Sequence, residues 1–129
     1  MKWIFIGIGG FLGAIMRYYF SGIAQNISIF KNYSTLFPIG TFFVNILGCM
    51  FLGFFSTLLL ERDVNPIHRL WINVGFLGAF TTFSTFSLET LNLLEESEYI
   101  EGFLNIILSC LVGLIAVWFG KTIYRLIWG

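Results

Sequence analysis

Between Gly75 and Ser87 the chain reads GFLGAFTTFSTFS. Five hydroxyls (Thr81, Thr82, Ser84, Thr85, Ser87) and three phenylalanines (Phe80, Phe83, Phe86) fall in a segment otherwise apolar enough to enter a membrane. A hydroxyl in hydrocarbon costs free energy unless it finds a partner, so this density calls for something polar beside it. Hydroxyls donate hydrogen bonds without carrying charge, and the edge of a phenylalanine ring is the positive side of its quadrupole. Phe83 and Phe86, three residues apart, fall on roughly one face of a helix, where two ring edges could face an anion. Lipid-facing phenylalanine is the other reading in a chain that holds 16 of them.

Three more polar residues stand in apolar surroundings. Arg17 could reach for the headgroups, with Tyr18 and Tyr19 at the interface, or attract an anion. Asn45, in GTFFVN, could bond another helix or donate its amide to an anion. Glu89, one turn beyond Thr85, reads as a surface or paired carboxylate before it reads as a proton carrier. Gly9-x-x-x-Gly13 has the small-residue spacing that lets helix backbones approach closely. Gly78, directly before the hydroxyls, is either a packing residue or a point where the helix breaks and turns carbonyls toward a cavity.

The elements that must hold these residues follow from composition. Hydrophobic residues make up 57% of 129, charged residues 11%, and mean hydropathy is +0.87. Apolar stretches at 3–24, 36–60, 70–94 and 102–127 are each long enough to cross about 30 Å of hydrocarbon as a helix. The expectation is an all-α membrane protein, one domain over 1–129 with four transmembrane helices, leaving no room for a soluble domain. The first stretch carries Arg17 and lacks a small-residue cleavage pattern, so it reads as a retained span. With four spans, Lys2, Arg62, Arg69, Lys121 and Arg125 share a side and only Lys31 lies opposite, which places the termini in the cytoplasm.

Other chemistries lack their residues. Net charge is zero with no basic patch, arguing against nucleic acid. Cys49 and Cys110 sit in separate spans, and His68 stands alone in a loop, so neither thiols nor imidazole form a metal set. No nucleophile has a neighbouring base, and Leu12 replaces the third glycine of a nucleotide-binding GxGxxG. Transport is favoured over catalysis. Small multidrug transporters, another four-span class, need a carboxylate in the first span; this chain has Arg17 there and no acid before Glu61. A membrane assembly subunit would leave the clustered hydroxyls and phenylalanines unexplained. One copy of four short helices cannot both surround an ion path and shield it from lipid, so an oligomer is expected.

Three motifs, in order, carry a resemblance: Gly9-Gly10-x-x-Gly13-Ala14-x-x-Arg17-Tyr18; Pro38-x-Gly40-Thr41-x-x-Val44-Asn45-x-x-Gly48; and Gly75-x-x-Gly78-x-x-Thr81-Thr82-Phe83-Ser84-Thr85-Phe86-Ser87. Together they resemble the signatures of the Fluc (CrcB) fluoride channels. The resemblance implies an antiparallel, dual-pore dimer in a prokaryotic plasma membrane, with the third helix broken near its middle, exporting fluoride passively to relieve its toxicity. It further implies that Asn45, Phe83, Phe86, Ser84 and Thr85 line the fluoride pathway and that Arg17 lies near its vestibule. Gly78 and Thr81 would hold a structural sodium ion (Na+) through backbone carbonyls at the dimer centre. Asn105 and Ser109 are polar candidates in the fourth span, which carries no sharp motif. The physics fits fluoride: a small, strongly hydrated ion needs close neutral donors that replace water yet release it. Dual-topology homodimers should show little Lys/Arg bias, so the five-to-one bias points to pairing with an oppositely oriented homologue as an alternative to a homodimer.

Overall fold

The computed structural model describes residues 1–30 and 36–129, the side chains of 28–30 excepted; Lys31, counted in the orientation argument, falls outside them. Every regular element among the described residues is helical. Helix α1 runs Lys2–Phe30 and α2 Ile39–Glu61. Asn65 then caps a short α3 (Pro66–Arg69): its side-chain oxygen accepts from Ile67 N at 3.0 Å, and Pro66, with no N–H to leave unpaired, starts the turn. This helix continues directly into a π-helical stretch, Leu70–Leu77, and then α4 (Gly78–Phe80). Helices α5 (Phe83–Glu95) and α6 (Tyr99–Trp128) follow.

Of these, α1, α2 and α6 are long and apolar enough to cross a membrane. Helix α1 passes residue 24, where the apolar run ends, and α6 begins at Tyr99 rather than near Gly102. Apolar runs measure the hydrocarbon depth, whereas backbone hydrogen bonding continues through polar residues such as Gln25 and Asn26 beyond it. The connection between α5 and α6 shrinks to a tight reversal at Ser97, whose φ of 66° is left-handed.

Small residues set the helix pairings. A Cβ at Gly9 would strike the Trp71 carbonyl, one at Gly13 the Phe76 carbonyl, and one at Gly75 the Ile6 carbonyl, so α1 lies directly on the π-helical stretch. Helices α2 and α6 meet the same way, Gly53 against Val117 and Gly120 against Met50. The core between them is thin: Val44, Leu77, Tyr124 and Asn105 are the largest fully sealed side chains. Most remaining apolar side chains face outward, as suits a chain solvated by lipid.

Candidate functional site

Two residues of extended backbone, Thr81 (φ −84°, ψ 157°) and Thr82 (φ −147°, ψ 115°), separate α4 from α5. Thr81 N still closes a helical turn on Leu77 O at 3.1 Å, but Thr82 N does not, and from there side chains take over. From α2, the Asn45 amide pairs with both backbone groups of Thr82: Nδ2 donates to Thr82 O at 3.0 Å, and Thr82 N donates to Oδ1 at 2.7 Å. Thr82 in turn caps α5, its Oγ1 accepting from Thr85 N at 3.3 Å and donating to Thr85 Oγ1 at 2.9 Å. Ser84 Oγ lies 3.4 Å from the same hydroxyl. The Thr82 and Thr85 N–H groups would otherwise have closed turns on Gly78 O and Thr81 O. Those two carbonyls are therefore released from the helical ladder. Gly48 makes the approach possible, since a Cβ there would collide with the Thr81 methyl.

The three phenylalanines separate. Phe80 is 3% exposed, stacked on Phe76 at 5.9 Å and edge-on to Phe20 at 6.3 Å; it anchors α4 to α1. Phe83 is 79% exposed, and its ring lies 5.7 Å from that of the half-buried Phe86. Beside the break, a cavity of about 270 Å³ is lined by Asn45, Gly78, Thr81, Thr82 and Phe83 among others. On the other side of Thr82, a cavity of about 150 Å³ is lined by Arg17, Ser21, Thr41 and Thr85. Arg17 has no ion-pair or hydrogen-bond partner among the described residues. Thr41 then donates to Glu89 Oε1 at 2.8 Å, and Glu89 opens on a further cavity of about 280 Å³ with Gln25 and Glu96. Among the described residues no group of three His, Cys, Asp or Glu side chains could hold a metal.

A family model described as "CrcB-like protein, Camphor Resistance (CrcB)" matches residues 4–121. The chain belongs to the CrcB family. It is 40% identical over 124 residues to the "Fluoride-specific ion channel FluC" of a Nitratiruptor species, covering 96% of this chain and 92% of the relative. Proteins of the same description from Geotalea daltonii (43% over 125 residues; 96% and 97% covered) and Methanococcus aeolicus (43% over 119; 92% and 90%) are similarly related. With its long apolar helices, this CrcB chain is a multi-pass membrane protein.

Within the CrcB chain, the break gathers Asn45, Gly78, Thr81, Phe83, Ser84 and Thr85, and Phe86 stands one turn beyond; Arg17 joins them through the cavity it shares with Thr85. Asn105 does not join. It is 1% exposed and its Nδ2 donates to Thr90 Oγ1 at 2.8 Å, while Ser109 Oγ reaches its Oδ1 at 3.4 Å, so this pair ties α6 to α5. Sequence reasoning does not single out Thr82 among the five hydroxyls, yet it is the residue that Asn45 clamps and that caps α5. A Thr directly before a helical run, two residues short of another Ser/Thr pair, is a helix-start signal that could have marked it. Thr41 likewise enters the sequence reading only as part of a motif; its partner 48 residues away is a tertiary fact that no local pattern contains.

Proposed function

We propose that this CrcB protein is a fluoride-selective channel, not an enzyme, that lets fluoride leave the cytoplasm down its electrochemical gradient. The observation that carries the proposal is the clamp of Asn45 on Thr82, which fixes uncharged hydroxyls and the Phe83–Phe86 pair beside one break. A hydrated anion gives up water only where donors replace it. Asn45 retains one amide hydrogen beyond its bond to Thr82, and Ser84 and Thr85 are exposed hydroxyls. Ring edges of Phe83 and Phe86 supply a weakly positive rim without a full charge that would trap the ion. Arg17, without a partner among the described residues, raises the local anion concentration near Thr85.

In this reading the segment 66–95 is a single crossing in two halves, the third helix being broken at Thr81–Thr82. The halves of 15 and 13 residues, even with the smaller rise of the π-helical stretch, are together long enough to cross about 30 Å of hydrocarbon. The released Gly78 and Thr81 carbonyls fit a sodium ion: neutral oxygens, with the helical N–H groups that would compete for them engaged elsewhere. Sodium would supply a fixed positive centre; the chain's own part is to hold the carbonyls open. Because Phe83 and Gly78 are exposed in the single subunit, a second subunit is needed to cover them, and we propose an antiparallel dimer with two pores. The Lys/Arg bias favours an oppositely oriented homologue as that partner, in a prokaryotic plasma membrane.

The test is efflux from liposomes holding the purified protein, alone and together with its oppositely oriented homologue. A fluoride electrode should record rapid release once a potassium ionophore dissipates the counter-potential, while chloride-loaded vesicles stay sealed. Equal leakage of both halides would remove the reading. Reporter fusions after Gly129 that light up equally on both membrane sides would replace the paired-homologue partner with a dual-topology homodimer.

A further inference from the structure

Asn73 lies in the π-helical stretch, eight residues before Thr81, and the channel mechanism above gives it no role. Two cavities share it. The first, about 650 Å³, opens beside Lys2 and Arg69; the second, about 270 Å³, is the one beside the break, with Asn45 and Phe83. The charged residues lining the first are both cationic. Asn73 Nδ2 donates to Ser56 Oγ at 3.0 Å, and its Oδ1 is buried with no hydrogen-bond partner. A buried, unpaired amide oxygen is an anomaly that asks for a ligand.

Rotating the amide by half a turn about its last bond resolves it. Ser56 has a hydroxyl hydrogen and can donate to the oxygen so presented, which delivers both N–H groups to the position the unpaired oxygen now holds. The tie between helices survives the rotation; what changes is whether the free side of the amide accepts or donates. We propose, resting on the fluoride-channel reading, that Asn73 is a fluoride-contacting residue between the Lys2–Arg69 mouth and the break, and that the ion selects the donor-out setting. A rotating neutral amide gives an anion two hydrogen bonds on arrival and withdraws them on departure, as conduction requires.

The test compares Asn73→Asp and Asn73→Leu with the wild-type dimer in liposomes, reading the half-saturating fluoride concentration, which does not depend on how many channels survive. Asp keeps an acceptor for the Ser56 hydroxyl but has no N–H; Leu keeps the volume and is uncharged. Both should raise half-saturation by tenfold or more, and Asn73→Ser, which retains one donor, should stay within threefold of wild type. Wild-type behaviour of an assembled Leu variant overturns the inference even if the Asp variant is impaired, because the effect is then remote charge and not contact. Should Leu fail to assemble, Asn73→Ala takes its place. If the wild-type protein passes no fluoride even when supplied with its oppositely oriented homologue, the channel reading falls and this inference with it; if it conducts and the variants match it, this inference falls alone.

Discussion

Replacing Asn45 with Asp separates the structural role of that amide from its place beside the ion. The carboxylate keeps an acceptor for Thr82 N, but the donor to Thr82 O is gone, and a second anionic oxygen stands where the amide nitrogen was, 3.0 Å from a carbonyl. Thr82 is 7% exposed, so water cannot repair the loss. An unpaired buried carbonyl costs about 1–3 kcal/mol, which a fold with about 5–15 kcal/mol of stability survives. The passing ion fares worse. A carboxylate about 4 Å from fluoride, at an effective dielectric of about 20, raises its energy by about 4 kcal/mol. At about 1.4 kcal/mol per tenfold, that is roughly a thousandfold slowing. The assay is electrode-detected efflux, with elution volume and thermal midpoint in detergent measured on the same preparation. Asn45→Ala is the counterpart: it loses both bonds and adds no charge, so its midpoint should drop further than that of the Asp variant. An Asn45→Asp protein that assembles normally and releases fluoride within tenfold of the wild-type rate would refute the placement of Asn45 beside the ion.

Phe83→Ile and Phe86→Ile should each lower fluoride flux more than tenfold while elution volume holds, Phe83 because it is 79% exposed and contributes little to the subunit's own packing, and Phe86 because isoleucine keeps its half-buried site apolar; wild-type flux in both removes the ring edges from the mechanism. Gly48→Ala would drive a methyl into Thr81 and crowd the Phe80 ring at 3.2 Å, an overpacking of about 1–3 kcal/mol that should lower the thermal midpoint and abolish flux. Gly7→Ala, with open space around it, is the control and should change neither. Preparing the protein with a bulky organic cation in place of sodium should reduce flux, and sodium should restore it; indifference to the exchange would exclude a cation at the Gly78 and Thr81 carbonyls.

The class of fold was legible because lipid imposes it: apolar runs of about 20 residues admit few structures other than helices. The close glycine pairings were half legible. Gly9-x-x-x-Gly13 announced a tight approach, but only the structure names Trp71 and Phe76 as what it approaches. Boundaries at Phe30 and Tyr99 were missed since hydropathy does not register helix outside the hydrocarbon. At the site, the residue types were visible and the bonding was not. Asn45 reads from sequence as either an interhelical bond or an ion donor, and its amide, with two hydrogens and an acceptor, leaves room for both: it clamps Thr82 and keeps one hydrogen over. Phe80 could not be told from Phe83 by spacing alone, because the two-residue extended segment between them resets the helical phase. The π-helical stretch, which shifts the register just before Gly78, leaves no mark in local composition.

What one subunit leaves unfinished is the physical ground for proposing a partner. Carbonyls released at Gly78 and Thr81 cannot stay bare in hydrocarbon, where each unpaired group costs several kcal/mol. Two oxygens from one chain also leave a hard cation largely uncoordinated. A twofold-related copy brings two more without requiring any new residue, and the same approach covers the ring of Phe83. In the proposed dimer, cation, aromatic rim and subunit contact are parts of one closure around the break, and losing the partner should remove conduction while α2 and α6, which pair within the chain through Gly53 and Gly120, stay folded. Diluting labelled protein in the bilayer until photobleaching steps fall from two to one should abolish flux in step with the loss of pairs. Conduction that persists in single-step vesicles would mean that one chain builds a whole pathway, and the argument from the released carbonyls would fail.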